Sequence, residues 1–130
     1  MKILQPPNWP RPKGYANGVA ATGKMVFLSG MVGWNAQEEF VAADFVGQVR
    51  QALLNIVEVL DQAGAKPEHI ARMTWYVIDK SEYMAAASEM GVIYREIIGR
   101  HYSAMTVVEV SALVEEKARV EIEVTAVIPE

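Results

Sequence analysis

The chain has 130 residues, 52% hydrophobic and 22% charged, with 12 Lys and Arg against 16 Asp and Glu for a formal net charge of −4. This is the composition of a folded globular protein, long enough for one domain spanning 1–130 with a real core. The acidic balance argues against a general nucleic-acid binder, which carries a basic face, and the absence of cysteine excludes disulfides, thiolate catalysis and cysteine metal sites.

The first twelve residues hold Pro6, Pro7, Pro10 and Pro12, an extended lead-in with little room for helix. These prolines also break the N-terminus before the apolar stretch of a secretion signal can form. No apolar run reaches the ~20 residues that span a bilayer. The expected location is cytoplasmic, with no membrane contact.

Lys13–Ala21 reads as a strand, Thr22-Gly23-Lys24 as a turn, and Met25–Leu28 as a buried strand, which together predict a hairpin. Ser29-Gly30 ends it. Met31–Phe40 reads as a loop with a short strand, turning near Asn35. Asp44 is an N-cap for a helix over Asp44–Ala63, where Phe45, Val49, Ala52, Leu53, Ile56, Leu60 and Ala63 recur along one face. Gly64 and Pro67 mark its end.

Ile70–Asp79 is rich in β-branched and aromatic residues and reads as a strand. Ser81 is a candidate cap for a second helix to about Ile98, with a stripe of Met84, Ala87, Met90, Tyr94 and Ile97 and a stop at Gly99. Ala104–Val110 and Ala118–Val127 read as strands separated by a turn at Val114–Lys117. In the last strand Arg119, Glu121, Glu123 and Thr125 share one face, and Val120, Ile122, Val124 and Ala126 the other. The order is ββ(β)αβαββ, an α+β class with a mixed sheet and two helices packed on one face. Met25–Leu28 and Thr106–Val110 read as apolar on both faces. A sheet of that kind needs a further layer, and in a chain this short the layer is another subunit.

Several segments resemble a known family. Gly14-Tyr15-Ala16-Asn17-Gly18-Val19 is similar to its Pro-Tyr-Ser-x-Ala-Val opening, and Phe27-Leu28-Ser29-Gly30 to its strand ending in Ser-Gly. Gln51-Ala52-Leu53-Leu54-Asn55-Ile56 with Ala63-Gly64-Ala65 resembles its first helix and exit. Thr106-Val107-Val108-Glu109-Val110 followed by Val120-Glu121-Ile122-Glu123 resembles its C-terminal signature. The match runs in order along almost the whole chain, and the chain is identified by it as a member of the RidA (YjgF) family, also labelled endoribonuclease L-PSP.

The resemblance implies a chorismate-mutase-like fold, a homotrimer with clefts between subunits, and hydrolysis of enamines and imines to ketones and ammonia. It implies that Glu121 positions or activates water, and that Tyr15, Ser29 and Gly30 line the cleft. The arginine that holds a substrate carboxylate in the family falls on Met105, within Ser103-Ala104-Met105-Thr106. An asparagine of the second helix falls on Gly91.

An arginine fork makes two charge-assisted bonds to a carboxylate, whereas methionine offers a soft apolar surface. Two outcomes are open. One is a hydrolase for a substrate without a free carboxylate at that end, with Glu121 as catalytic base and Tyr15, Ser29, Gly30, Met105 and Thr106 as substrate-binding residues. The other is a small-ligand-binding or regulatory trimer without chemistry. An endoribonuclease is a third reading, disfavoured by the acidic balance and by the missing basic–aromatic pattern. Arg100 and His101, just ahead of the Met105 strand, are candidates for the missing positive charge or for acid–base work, and Trp34 for shaping the cleft. Otherwise each of these residues is a packing or surface residue. His69 reads as surface, and two histidines this far apart make no metal site. No cofactor or metal is expected.

Overall fold

The computed structural model describes residues 1–130. Its elements are β1 (Lys2–Ile3), β2 (Val19–Ala20), β3 (Lys24–Phe27), β4 (Met31–Val32), α1 (Phe45–Gln62), a 3-10 turn at Pro67–His69, β5 (Ile70–Val77), α2 (Lys80–Ala85), α3 (Ala87–Ile97), β6 (Ala104–Glu109) and β7 (Val120–Ile128). The main sheet runs β3-β7-β5-β6, with β4 also on β7. Only β5 and β6 are parallel, so the sheet is mixed.

α1 forms where the apolar period demands it. The Asp44 carboxylate accepts from the Gly47 N–H at 3.1 Å, satisfying one of the donors every helix start leaves free. Phe45, Val49, Ala52, Leu53, Ile56 and Leu60 are buried against Met73, Trp75, Ile122 and Val124 of β5 and β7 in one core cluster. Gly64, at φ 73°, takes the left-handed turn that ends the helix. Truncating Leu53 or Ile56 to alanine removes a fully buried side chain, a change that costs about 2–5 kcal/mol in a core.

The second helix is capped by Asp79, whose side chain accepts from Ser81 N at 2.9 Å, rather than by Ser81. It breaks at Ala86 into α2 and α3. The break resets the helical phase. Ala86, Met90, Ile93, Tyr94 and Ile98 are buried, while Met84, expected in the stripe, is exposed.

The predicted hairpin does not form. β2 pairs with β1, and β3 pairs with β7 across Lys24↔Ile128 to Phe27↔Thr125. The long strand expected over Lys13–Ala21 shrinks to Val19–Ala20 and a bridge from Ala16 to Ala104. The turn chemistry at Thr22-Gly23-Lys24 is local, but pairing with β7 extends the main sheet, which the short β2 cannot offer β3.

The helices cover one face of the sheet. Arg72, Thr74 and Tyr76 of β5, Glu121 and Glu123 of β7, and Thr106 and Val108 of β6 lie on the other, none of them buried. Within the subunit Met25 and Phe27, expected to be buried, are 56% and 71% exposed. The apolar character of this strand on both faces is therefore real, and one face has no cover from its own chain.

Candidate active site

A cleft of about 570 Å³ opens on the helix-covered side, between β5, β6 and α2–α3, with the Lys13-Gly14-Tyr15 loop at its rim. Its size is ordinary for a small-molecule site. β6 contributes Met105 and Val107, which register with Met73 and Trp75. Strand alternation sends Thr106, registered with Thr74, to the open face. Met105 and Thr106, adjacent in sequence, thus serve opposite sides of the sheet.

Aromatic rings build the walls. Trp75 meets Tyr83 edge-on at 6.1 Å between centroids, and Tyr94 stacks on Tyr102 at 5.7 Å with 6° between planes. The Tyr94 hydroxyl donates to the His101 carbonyl at 3.0 Å. Burial first, and Tyr102 beside it second, push Tyr94 up to about 12, while the neighbouring Ser103 side chain pulls the other way. Burial also raises Tyr83. Both phenols are neutral at physiological pH. Trp75 is 2% exposed, and its indole Nε1 finds no acceptor within the protein.

The remaining candidates gather elsewhere. β4 registers Val32 with Glu121, which brings the Ser29-Gly30 segment against β7. A Cβ on Gly30 would overlap the Glu121 carboxylate, so only glycine leaves that space to the acid. Glu121 lies on the open face and has no ion pair within the subunit. Arg119, its expected neighbour, forks through Nε to Glu82 of α2 at 2.7 and 2.9 Å instead. Glu121 and Met105 sit on opposite faces and two strands apart, roughly 10 Å sideways at ~4.8 Å per strand.

Arg100 is exposed and lines no part of the cleft. His101 Nε2 donates to the Ile70 carbonyl at 2.7 Å, which ties the ring to the start of β5. Trp34 packs on Phe40 at 5.8 Å, and its carbonyl accepts from Asn55 Nδ2 at 2.7 Å, so it braces the loop after β4 against α1. Lys13, Tyr83, Arg95 and Tyr102 also line the cleft, outside the residues that the family motifs mark. For Arg95 a signal was present: it stands one helical turn beyond Gly91, where no side chain blocks it.

A mixed sheet bare on one face, with two helices and an aromatic cleft on the other, is the α+β fold of YjgF-type proteins. The chain belongs to the Endoribonuclease L-PSP family, whose model matches residues 9–128. It is 30% identical over 126 residues to a RutC family protein of Pasteurella multocida, covering 97% of each chain. It is also 30% identical over 116 residues to the 2-iminobutanoate/2-iminopropanoate deaminase of Escherichia coli, covering 87% of this chain and 86% of that one. Among solved structures, a Rid-family protein of unknown function from Yersinia pestis superposes with a TM-score of 0.84 at 30% identity, covering 98% of both chains. No helix is long and apolar enough to cross a membrane.

Proposed function

We propose that the chain is a cytoplasmic hydrolase that deaminates a small enamine or imine in clefts completed by neighbouring copies of itself in a homotrimer. The observation that carries this reading is the division of the candidate residues. Tyr15 and Met105 line the cleft under the helices, while Gly30 lies against Glu121 on the bare face with the exposed Ser29 next in the chain. One subunit cannot bring the two groups onto one small molecule. A second copy, presenting its Glu121 to the first copy's cleft, can. The relatives named as imine deaminases support the reaction class.

In this reading Glu121 takes a proton from water as the oxygen attacks the imine carbon. That proton passes to the imine nitrogen to give a carbinolamine; Glu121 then takes the carbinolamine hydroxyl proton and delivers it to the nitrogen as the C–N bond breaks, and the products are a ketone and ammonia. Glu121 returns to its starting form, so the balance is one imine and one water in, one ketone and one ammonia out. Met105, where the resemblance places arginine, gives the cleft floor an apolar surface. The substrate therefore carries no carboxylate against that wall.

The test is ammonia release from an imine generated enzymatically in the assay, comparing the native protein, Glu121→Gln and Met105→Arg. The native protein accelerates hydrolysis over background. Glu121→Gln lowers the rate about 10²–10⁴-fold, the usual contribution of a positioned base. Met105→Arg shifts preference toward imines bearing an adjacent carboxylate. A Glu121→Gln protein with full activity would overturn the assignment of the base. If neither native protein nor Met105→Arg is active, the trimer is a ligand-binding module without hydrolytic chemistry.

A further inference from the structure

The cleft wall holds two cations, Lys13 and Arg95, and no acidic side chain. In a chain of net charge −4 this is a local reversal of sign. Neither cation belongs to an ion pair: Arg50 pairs with Glu96 and Arg119 with Glu82, and these are the ion pairs of the subunit.

Arg95 reaches the cleft because of Gly91. The two residues are one turn apart on α3, and a Cβ added at Gly91 would stand 3.3 Å from the Arg95 guanidinium. The guanidinium thus lies over the bare backbone of residue 91, in space that a side chain there would contest. Below it the cleft is lined by aromatic rings and by Met84, Met90 and Met105, a flat-sided apolar surface that adapts to shape.

We propose that the cleft takes organic anions with an aromatic body, the rings of the wall enclosing that body and Arg95 of α3 holding the acidic group. This names the substrate class of the deaminase reading above and rests on it. Arg95 is a specificity-determining residue. Its planar fork matches a carboxylate with two parallel bonds, from the helix side of the cleft rather than from β6, where Met105 stands.

The experiment uses calorimetric titration of the native protein, Arg95→Gln and Arg95→Lys with three probes. These are 3-phenylpropionate, its neutral amide 3-phenylpropionamide, and propionate, which lacks the ring. The native protein binds 3-phenylpropionate at least about tenfold more tightly than the amide, about 1.4 kcal/mol, and more tightly still than propionate. Arg95→Gln cuts the preference for the acid at least about threefold, Lys13 keeping what remains, and costs the acid more than the amide. Arg95→Lys keeps more of the preference, because charge remains while the fork is lost. The preference shrinks as salt rises, because Arg95 is solvent-exposed and its charge is screened.

Equal binding of acid and amide by the native protein, an undiminished preference in Arg95→Gln, or no binding of either aromatic probe overturns the proposal. Its failure is distinguishable from failure of the deaminase reading. Ammonia release without a preference for the acid removes Arg95 and leaves the deaminase. A preference for the acid without ammonia release does the reverse.

Discussion

A phenol in the cleft wall shows what a single residue contributes here. Tyr94 is buried, hydrogen-bonded to the His101 carbonyl and stacked on Tyr102, and its pKa rises from 10.0 to about 12, chiefly through burial. The folded state therefore holds the proton more tightly than the unfolded chain does. This stabilisation is fully present below pH 10 and is lost as pH climbs through about 12. Its size is on the order of 2–3 kcal/mol. In alkaline unfolding followed by circular dichroism, the native protein loses stability steeply across that window. Tyr94→Phe starts lower by about 1 kcal/mol for the missing hydrogen bond and shows a shallower decline there. Parallel curves for the two proteins would place the alkaline loss at another group.

Among elements, α1 does more than cover the sheet. Gln48, 1% exposed, donates to the carbonyls of Ala42 and Lys117 at 3.2 and 2.9 Å and accepts from the Arg119 N–H at 2.7 Å. It staples the loop before α1 and the turn before β7 to the helix. Asn55 does the same for the segment after β4, donating to Val32 and Trp34 carbonyls. These two amides hold the β4 segment and the start of β7, and so the ground beside Glu121. Gln48→Leu keeps the volume but leaves backbone groups of the turn unpaired, at a cost of about 2 kcal/mol or more. Urea unfolding should show a lower midpoint with an unchanged slope. A loss below about 0.5 kcal/mol would mean that water replaces the amide at no cost.

At the scale of the whole molecule, the bare sheet face decides how the chain exists. Among its polar residues, Met25, Phe27 and Val108 lie on or beside it, all exposed in the subunit, and covering these apolar side chains is the expected role of a neighbouring copy. Light scattering at micromolar concentration is expected to give the mass of a trimer of 14.4 kDa chains. Phe27→Lys, at a side chain 71% exposed in its own subunit, should dissociate it while leaving the circular dichroism spectrum intact. The dissociated protein should also lose ammonia release, since Glu121 then faces no cleft. A native monomer would remove the completed-cleft mechanism outright.

The sequence by itself determined the elements whose signals are local. The 3.6-residue stripe and the Asp44 and Gly64 caps specify α1, and the two-residue alternation from Val120 to Ala126 specifies which face of β7 is buried. The order of short family motifs specified the fold. Only the tertiary structure decided which strands pair. A turn signal at Thr22-Gly23-Lys24 states that the chain bends, not that β3 will find β7 a hundred residues on, because sheet pairing depends on which long edge is available. The same limit applied to the site. Adjacent residues on a strand point to opposite faces, so neighbours in sequence such as Met105 and Thr106 part company. Lys13, Tyr83, Arg95 and Tyr102 converge on one cleft from segments whose meeting no local pattern records. Burial periodicity is written residue by residue; the composition of a cleft is a property of packing, and packing is settled only when every element has taken its place.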